Sequence, residues 1–455
     1  MLTLFNTSSD PNEDYLKIDR TSIKRKLTNQ HFRMRLRDVS IYEDEQDIHY
    51  ATLLNLVADH NVGSVPLITS LNEDEDSADD VEDKFLEWSI KNEIGLSLRM
   101  LRRCACKTGV CIGIPYIKEN PKEPIGLAIR DISPERLVTP MDAKPSDRII
   151  DGIQYDKNWE PVAIFIKTED VLKPQEYKVK DIIFWKKKVI EDQYFPIPEC
   201  AQALCIFPSI RRFFTAVVKG EEFKASIPMA TVLDPQIYKP DDASNIPIGS
   251  FQYEPNMVPT LPPGVKLEGL NVGSHSADRA DYTRLVISAA GRIKKCPANL
   301  LMGDSGNLNM SASQVDLQPW QDEVERDRVD FKPIVEQVIG WWQERAAGTL
   351  GYLPIRAKKN LAYALGYTTT FQHNDPKKRA DARSTDLASG STTLVEIWGQ
   401  KGGNVRRALK QEAKNFGISV QELKALLLQS RFSSIGNQLN DSGQPQDNQS
   451  DGTQK

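Results

Sequence analysis

Residues 276–318 read SADRADYTRLVISAAGRIKKCPANLLMGDSGNLNMSASQVDLQ, and the order of features inside them decides how the rest of the chain is read. Ser276 is a good helix N-cap, and Asp278 lies in the first turn, where unpaired backbone N–H groups favour an anion. Tyr282, Leu285, Val286, Ala289, Ala290 and Ile293 then recur at helical spacing. Arg292, Lys294 and Lys295 close the segment with positive charge, and Pro297 cannot continue it. Next comes a run of Gly303, Asp304, Ser305, Gly306, Asn307 and Asn309, residue types that tolerate unusual backbone angles and leave a segment mobile. A second helix is expected from near Ser311. Helix, polar loop and helix follow one another with no catalytic constellation, the pattern of a moving part rather than an active site.

On the N-terminal side, Pro208 suits a first helical position. Ile210, Phe213, Phe214, Val217 and Val218 form an apolar stripe, and Pro228 marks the helix end. Residues 231–275 are dense in Pro and Gly, with β-like fragments such as GSFQYE and VKLEGL, so two helices bracket a compact β-turn insert. On the C-terminal side, 313–348 reads as a long helix whose apolar face is Phe331, Ile334, Val335, Val338 and Trp342. Trp341 and Trp342 read as packing anchors. A short strand-and-turn region follows to about 372.

The last part is helical with clear punctuation: Asp375-Pro376 opens one helix and Gly390 closes it, Gly417 closes another, and Thr393/Glu396 and Ser419/Glu422 are capping-box pairs. From Ser433 the chain is polar and poor in aromatics, as disordered tails are.

In the N-terminal half, residues 1–50 read as a charged arm without periodicity, and its basic run reads as a solvated face or subunit contact. Residues 51–71 suggest helix, Gly turn and strand. The acidic run 72–83 reads as an exposed loop, and a helix with Phe85, Trp88, Ile94, Leu98 and Leu101 on its buried face follows. From 109 to 190 the texture is short strands separated by Pro, Gly, Asn and Asp, including a hairpin with its turn at Asp156, Lys157 and Asn158 and Pro161 starting the returning strand.

Composition excludes more than it assigns. The chain has 455 residues, 40% hydrophobic and 27% charged, with a formal net charge of −5. No apolar run approaches the ~20 residues of a membrane span, and MLTLFNTSSDPNED lacks the regions of a secretory signal. A mild acidic excess does not suit a high-affinity nucleic-acid binder, which depends on clustered Lys and Arg. Cys104, Cys106 and Cys111 have neither CxxC pairing nor nearby His, so buried thiols are expected rather than a metal site. The acidic run lacks the glycine of a calcium loop. No GxxxxGK[ST], GxSxG, HExxH or GxGxxG occurs, and KGGN at 401–404 lacks the Lys-Ser/Thr pair that grips phosphate and magnesium. Asp304 and Asp316 read as a turn residue and a solvated helix residue. No enzyme and no cofactor are expected.

Taken in order, five blocks resemble tailed-bacteriophage portal proteins of the group related to the lambda portal. They are GLSLRMLRRCACKTGVCIGIPYI; ISPERLVTP with IIDGIQYDKNWEPVAIFI; PSIRRFFTAVVKGEEFKASIPMATVL; the stretch from FQYEPNMVPTLPPGVKLEGL to the Gly-Asp-Ser loop; and HNDPKKRADARSTDLASGSTTLVEIWGQKGG. The resemblance spans roughly 50–430. Where the family has an Arg-Pro-x-Gln-x-Arg-Gly stretch before the first stem helix, this chain has QYFPIPECAQALCIFPSI.

The resemblance implies an α+β portal fold, mainly helical with a β-rich wing and clip, that forms a ring, usually dodecameric, around a DNA channel. It divides the chain into an arm (1–50), wing (51–207), first stem helix (208–230), clip (231–275) and second stem helix (276–296). A tunnel loop (297–312), long helix with wing return (313–374), crown (375–432) and tail (433–455) follow. Gly303, Asp304, Asn307, Asn309 and Ser311 would face DNA, and Arg292, Lys294 and Lys295 are candidate phosphate contacts or helix-terminus charges. Implied partners are further copies of the chain, double-stranded DNA, terminase, major capsid protein or scaffold and head-completion proteins, with no membrane. The expected location is the virion's portal vertex, after assembly in the host cytoplasm. The readings set against it are a packaging nuclease or ATPase, whose motifs are missing, and a ring-forming virion adaptor, typically shorter.

Overall fold

The computed structural model describes residues 29–429 apart from 73, 119–123, 145–146, 169–173, 192, 226–228, 234–264, 270–275, 305–309, 356–360, 368–375 and 391–404. Helices α1 (Gln30–Gln46) and α2 (Ile48–Val62) are joined through Asp47, whose carboxylate accepts from the N–H groups of His49 and Tyr50 and so caps α2. The basic run is therefore no simple solvated arm in its second half. Arg33 and Arg37 are buried, Arg33 pairs with Asp151 at 2.6 Å, and its guanidinium lies 4.2 Å above the Phe195 ring.

Strand β1 (Pro66–Ser70) follows the Gly63 turn, then α3 (Glu75–Lys91) and α4 (Ile94–Thr108). The acidic run is thus largely helix, because Ala78 and Val81 on its inner side are buried and draw it onto the core. The single helix expected across 84–110 breaks at Glu93, which takes a left-handed conformation with φ 54°. The predicted face nevertheless holds: Phe85, Trp88, Ile94, Leu98 and Leu101 are all buried.

Strands β2 (Val110–Ile117), β3 (Leu127–Ile132), β4 (Ile149–Ile150), β5 (Ile153–Tyr155), β6 (Pro161–Ile166), β7 (Gln175–Lys178) and β8 (Ile183–Lys186) come next. They make an antiparallel β3-β2-β8 sheet and an antiparallel β4-β5-β6-β7 sheet. Between them lies a small core of Ile112, Ile132, Ile153, Ile164 and Ile166. The expected hairpin forms as β5–β6, its turn held by Asp156 Oδ1, which accepts from the N–H groups of Asn158 and Glu160 at 2.8 Å.

Helix α5 (Ile206–Ala225) runs into β9 (Met229–Leu233), which pairs antiparallel with β10 (Val265–Gly269) before α6 (Ser276–Gly291) returns. The fragment GSFQYE lies outside the described residues. After α6 come a 3-10 turn at Arg292–Lys294, the short α7 (Ala298–Met302) and the 39-residue α8 (Met310–Gly348). One expectation changes here, and the helix expected from near Ser311 forms. Most of 297–302 is helix rather than loop, and Ser311 belongs to α8.

Strand β11 (Tyr363–Tyr367) pairs back onto β1, closing the α8 return against the N-terminal half. Then come α9 (Pro376–Ser389), α10 (Val405–Phe416) and α11 (420–429). The Ser419/Glu422 capping box is present in both directions, at 2.8 and 3.2 Å. The Thr393/Glu396 pair and the tail from Ser433 lie outside the described residues.

Two large cores organise these elements. One packs α3, α4 and the predicted α8 face, Phe331, Ile334, Val335, Val338 and Trp342, over β2 and β3. The other gathers α1 and α2, residues 197–210, Ile287 and Ala290 of α6, α7, and Trp320 and Val324 of α8. That second core is the root from which the paired helices α5 and α6 project.

Candidate functional site

Arg102 stands at the centre of the root with no exposed surface. It follows Leu98 and Leu101 on the face that α4 buries, so its guanidinium is carried into the core with them. All its nitrogens find carboxylates. Nη1 and Nη2 donate to Glu199 at 2.7 and 3.0 Å, while Nε and Nη2 donate to Asp327 at 2.8 Å each. Such fork-to-carboxylate geometry fixes orientation as well as distance. Asp327 also accepts from Asn61 of α2 at 2.8 Å and from Lys187 at 2.6 Å. Lys294 donates to Glu199.

This cluster ties together α4, the segment before α5, the end of α6 and the long helix α8. Burial alone would raise the Glu199 carboxyl, but Arg102 and Lys294 outweigh it and hold the group at about 2. Asp327 is held well below its ordinary range by Arg102 and Lys187 against the same desolvation. Lys294 is raised despite burial by Glu199.

The exit of α6 is shaped by a close backbone approach. Cys296 N donates to Gly291 O at 3.0 Å, and a Cβ at Gly291 would come within 2.5 Å of Cys296 O. Only glycine permits that turn without a shift. Lys295 adopts a left-handed φ of 56° and pairs with Glu323 at 2.9 Å. Below it, His49 Nδ1 lies 3.2 Å from Leu301 O, and Arg284 lies 3.8 Å from Asp304, holding the start of the loop against α6.

The residues proposed from sequence therefore divide. Gly303 and Asp304 are exposed at the loop's start. Asn307 and Asn309 lie outside the described residues, and Ser311 sits in the first turn of α8. Arg292 and Lys295 are exposed. Lys294 is not a surface cation: only 6% exposed and bonded to Glu199, it is removed from the candidate phosphate contacts. The 3-10 turn rotates it inward, away from its two basic neighbours.

Sequence reading missed Arg102, Glu199 and Asp327. A signal existed for two of them, since Arg102 and Asp327 each interrupt an apolar helical stripe, and a charge on such a face needs a buried partner. Glu199 carries no such mark, because it lies in an irregular segment.

Beyond the root, the helix pair exposes apolar surface. Phe213 and Tyr282 touch with ring centroids 4.9 Å apart, yet Phe214, Val218, Tyr282 and Leu285 remain exposed, Leu285 at 66%. The stripe read on α6 is thus split: Ala290 faces the root, joined there by Ile287 from outside the stripe, and Leu285 faces out.

An α+β subunit with this layout, two helices bracketing a β insert and rooted beside a long helix, belongs to a defined class. The family described as phage portal protein, lambda family, matches residues 17–328. The chain belongs to that family and is a portal protein of the virion's capsid vertex. Solved structures similar to it include a subunit in the neck of an empty gene transfer agent particle. That subunit is 12% identical, with 82% of this chain and 93% of that one covered and a TM-score of 0.42. A second, in the virion of a native gene transfer agent particle, is 11% identical over 82% and 93%, with a TM-score of 0.40. No curated protein matches the chain.

Proposed function

We propose that copies of this chain close into a ring, dodecameric as is usual for the family, whose channel passes double-stranded DNA during packaging and ejection. The observation that carries the reading is the exposed apolar face of α5 and α6, Phe214, Val218, Tyr282 and Leu285, which has no cover within the subunit among the described residues. In this reading α5 and α6 are the stem, the insert 231–275 is the clip that docks terminase and later head-completion proteins, and 51–207 is the wing. Residues 375–432 form the crown, and capsid or scaffold protein surrounds the ring.

The role is structural and passive rather than enzymatic. A conduit must not hold DNA tightly, because each phosphate neutralised by Lys or Arg adds binding energy that resists sliding. The net charge of −5 and the polar loop fit that requirement. Gly303, Asp304, Asn307 and Asn309, with Ser311 at the first turn of α8, then face the channel, with Arg292 and Lys295 as limited phosphate contacts beside them. Assembly takes place in the host cytoplasm.

Class averages of the purified protein test the ring directly. Closed rings are expected, and only monomers at every concentration and salt would overturn the proposal. Deleting 305–309 is expected to leave rings intact while impairing packaging or DNA retention, whereas loss of assembly would make the loop a structural element.

A further inference from the structure

Beside the charged cluster, two thiols meet where the segment leading into α5 crosses the last turn of α4. Glu199 N donates to Cys106 O at 3.0 Å, which lays the two stretches of chain side by side. Cys106 Sγ and Cys200 Sγ are consequently 3.9 Å apart, and both residues are fully buried. A disulfide requires about 2.05 Å between sulfurs, so the two sulfurs face each other but are not bonded. The other cysteines are placed differently. Cys104 Sγ contacts Thr108 Oγ1 and Val110 O, Cys205 contacts Gln202 O, and Cys296 contacts Pro297 O.

The surroundings make the two thiols unequal. The two thiols share a hydrogen bond in which either can donate; that bond, with Lys294 and Arg102 beside it, lowers the Cys106 thiol against burial and the nearby Glu199. The same hydrogen bond, together with burial, raises Cys200. Cations beside a thiol favour the thiolate, which is the nucleophile in oxidation. Cys111 is raised by burial, and Cys296 is pushed up by burial to about 12.

We propose that Cys106 and Cys200 form an oxidative modification site, two thiols in a reducing cell that a small peroxide joins into a disulfide. In the first step the Cys106 thiolate attacks one peroxide oxygen and breaks the O–O bond, giving a sulfenic acid and a hydroxide that takes up the proton the Cys106 thiol released and becomes water. In the second, the Cys200 sulfur attacks the sulfenic sulfur and expels the hydroxyl, which takes up the Cys200 proton and leaves as water. Two thiols and one hydrogen peroxide thus yield one disulfide and two waters. The bond links α4 to the segment entering α5 and closes a long loop, which restricts the unfolded chain. On the portal reading given above, subunits assemble reduced and the bond forms once the virion leaves the cell, since cytosolic thiols are kept reduced and virion surfaces are not.

The test treats the full-length purified protein with a small excess of hydrogen peroxide, alkylates the remaining thiols in denaturant, and maps peptides without reduction. The expected product is a Cys106–Cys200 linked peptide, two hydrogens lighter than its parts, with the other four cysteines alkylated, a raised unfolding midpoint and full reversal by dithiothreitol. Recovery of both residues alkylated, oxidation of either to the sulfinic acid without linkage, or pairing with another cysteine would overturn the site. In the Cys200→Ala variant, Cys106 should instead be trapped as a sulfenic acid by dimedone, with no gain in midpoint. An equal gain in that variant also defeats the proposal. Because the readout is covalent, it is independent of whether rings form.

Discussion

The root and the shaft of the helix pair are built the opposite way round. At the root, Arg102, Glu199, Asp327 and Lys294 are charged and buried. Along the shaft, Phe214, Val218, Tyr282 and Leu285 are apolar and exposed. Burying ions costs several kcal/mol each and is repaid only by near-complete pairing. The contrast shows where the subunit is finished. The root satisfies its charges internally and so fixes the direction in which α5 and α6 leave the body. The shaft has no cover among the described residues, and each side chain of Leu size that a neighbouring copy buries adds roughly 1.5–3 kcal/mol. A ring multiplies that gain at every interface while the root keeps all copies aligned.

The largest effect is expected from breaking the root. Glu199→Gln leaves Arg102 and Lys294 facing a neutral amide, and removal of one partner from a buried pair costs about 3–5 kcal/mol. Urea unfolding should show that loss, and a change below about 1 kcal/mol would mean that the cluster does not hold the root. The pH dependence follows with a definite sign. The folded Glu199 carboxyl is held at about 2 against an ordinary value of 4.5. Its contribution is therefore fully present above pH 4.5 and is lost as pH falls through about 2. Asp327, lowered in the same way, adds to the slope. Acid titration of stability should thus be steep below pH 4.5 in the natural protein and shallower in the Gln variant, where Asp327 is the one carboxylate of this pair left to be protonated.

Changes on the shaft should show the reverse. Leu285→Glu places a charge on a side chain that is 66% exposed, and such surface changes alter subunit stability by no more than about 0.5 kcal/mol. Sedimentation should nonetheless show rings giving way to smaller species. Intact rings of this variant would remove the shaft from the interface.

This asymmetry also explains what the sequence could reveal. Helical stripes with strong apolar faces, such as Phe331 to Trp342 and Phe85 to Leu101, announce their burial in advance, because periodicity reports which face meets a core. The Asp156 turn and the Ser419/Glu422 box were legible because their chemistry is local. The helical state of the acidic run at 75–83 was not, since Ala78 and Val81 decide it through tertiary contact. Lys294 was misplaced for a related reason: three basic residues so close together look alike until a 3-10 turn sends one inward. Glu199 lies in QYFPIPECAQALCIFPSI, where the chain departs from its family's usual motif, and its partners are 97 residues before and 95 after. No local pattern encodes pairings of that range.

The smallest effect is expected at Lys295, where the root meets the proposed channel. Its bond to Glu323 is exposed, with the lysine side chain 42% accessible, and exposed pairs of this kind contribute about 0.2–1 kcal/mol. Lys295→Ala should therefore hardly change unfolding. If Lys295 also meets phosphate in the proposed channel, the variant should weaken ring–DNA association uniformly across sequences and lower the salt slope by about 1 for each phosphate no longer neutralised. The same substitution at Lys294 separates the two roles. Buried against Glu199, Lys294→Ala should destabilise the subunit far more than Lys295→Ala, although the residues are adjacent. Equal stability losses in the two variants would erase the distinction between a finished root and an open surface.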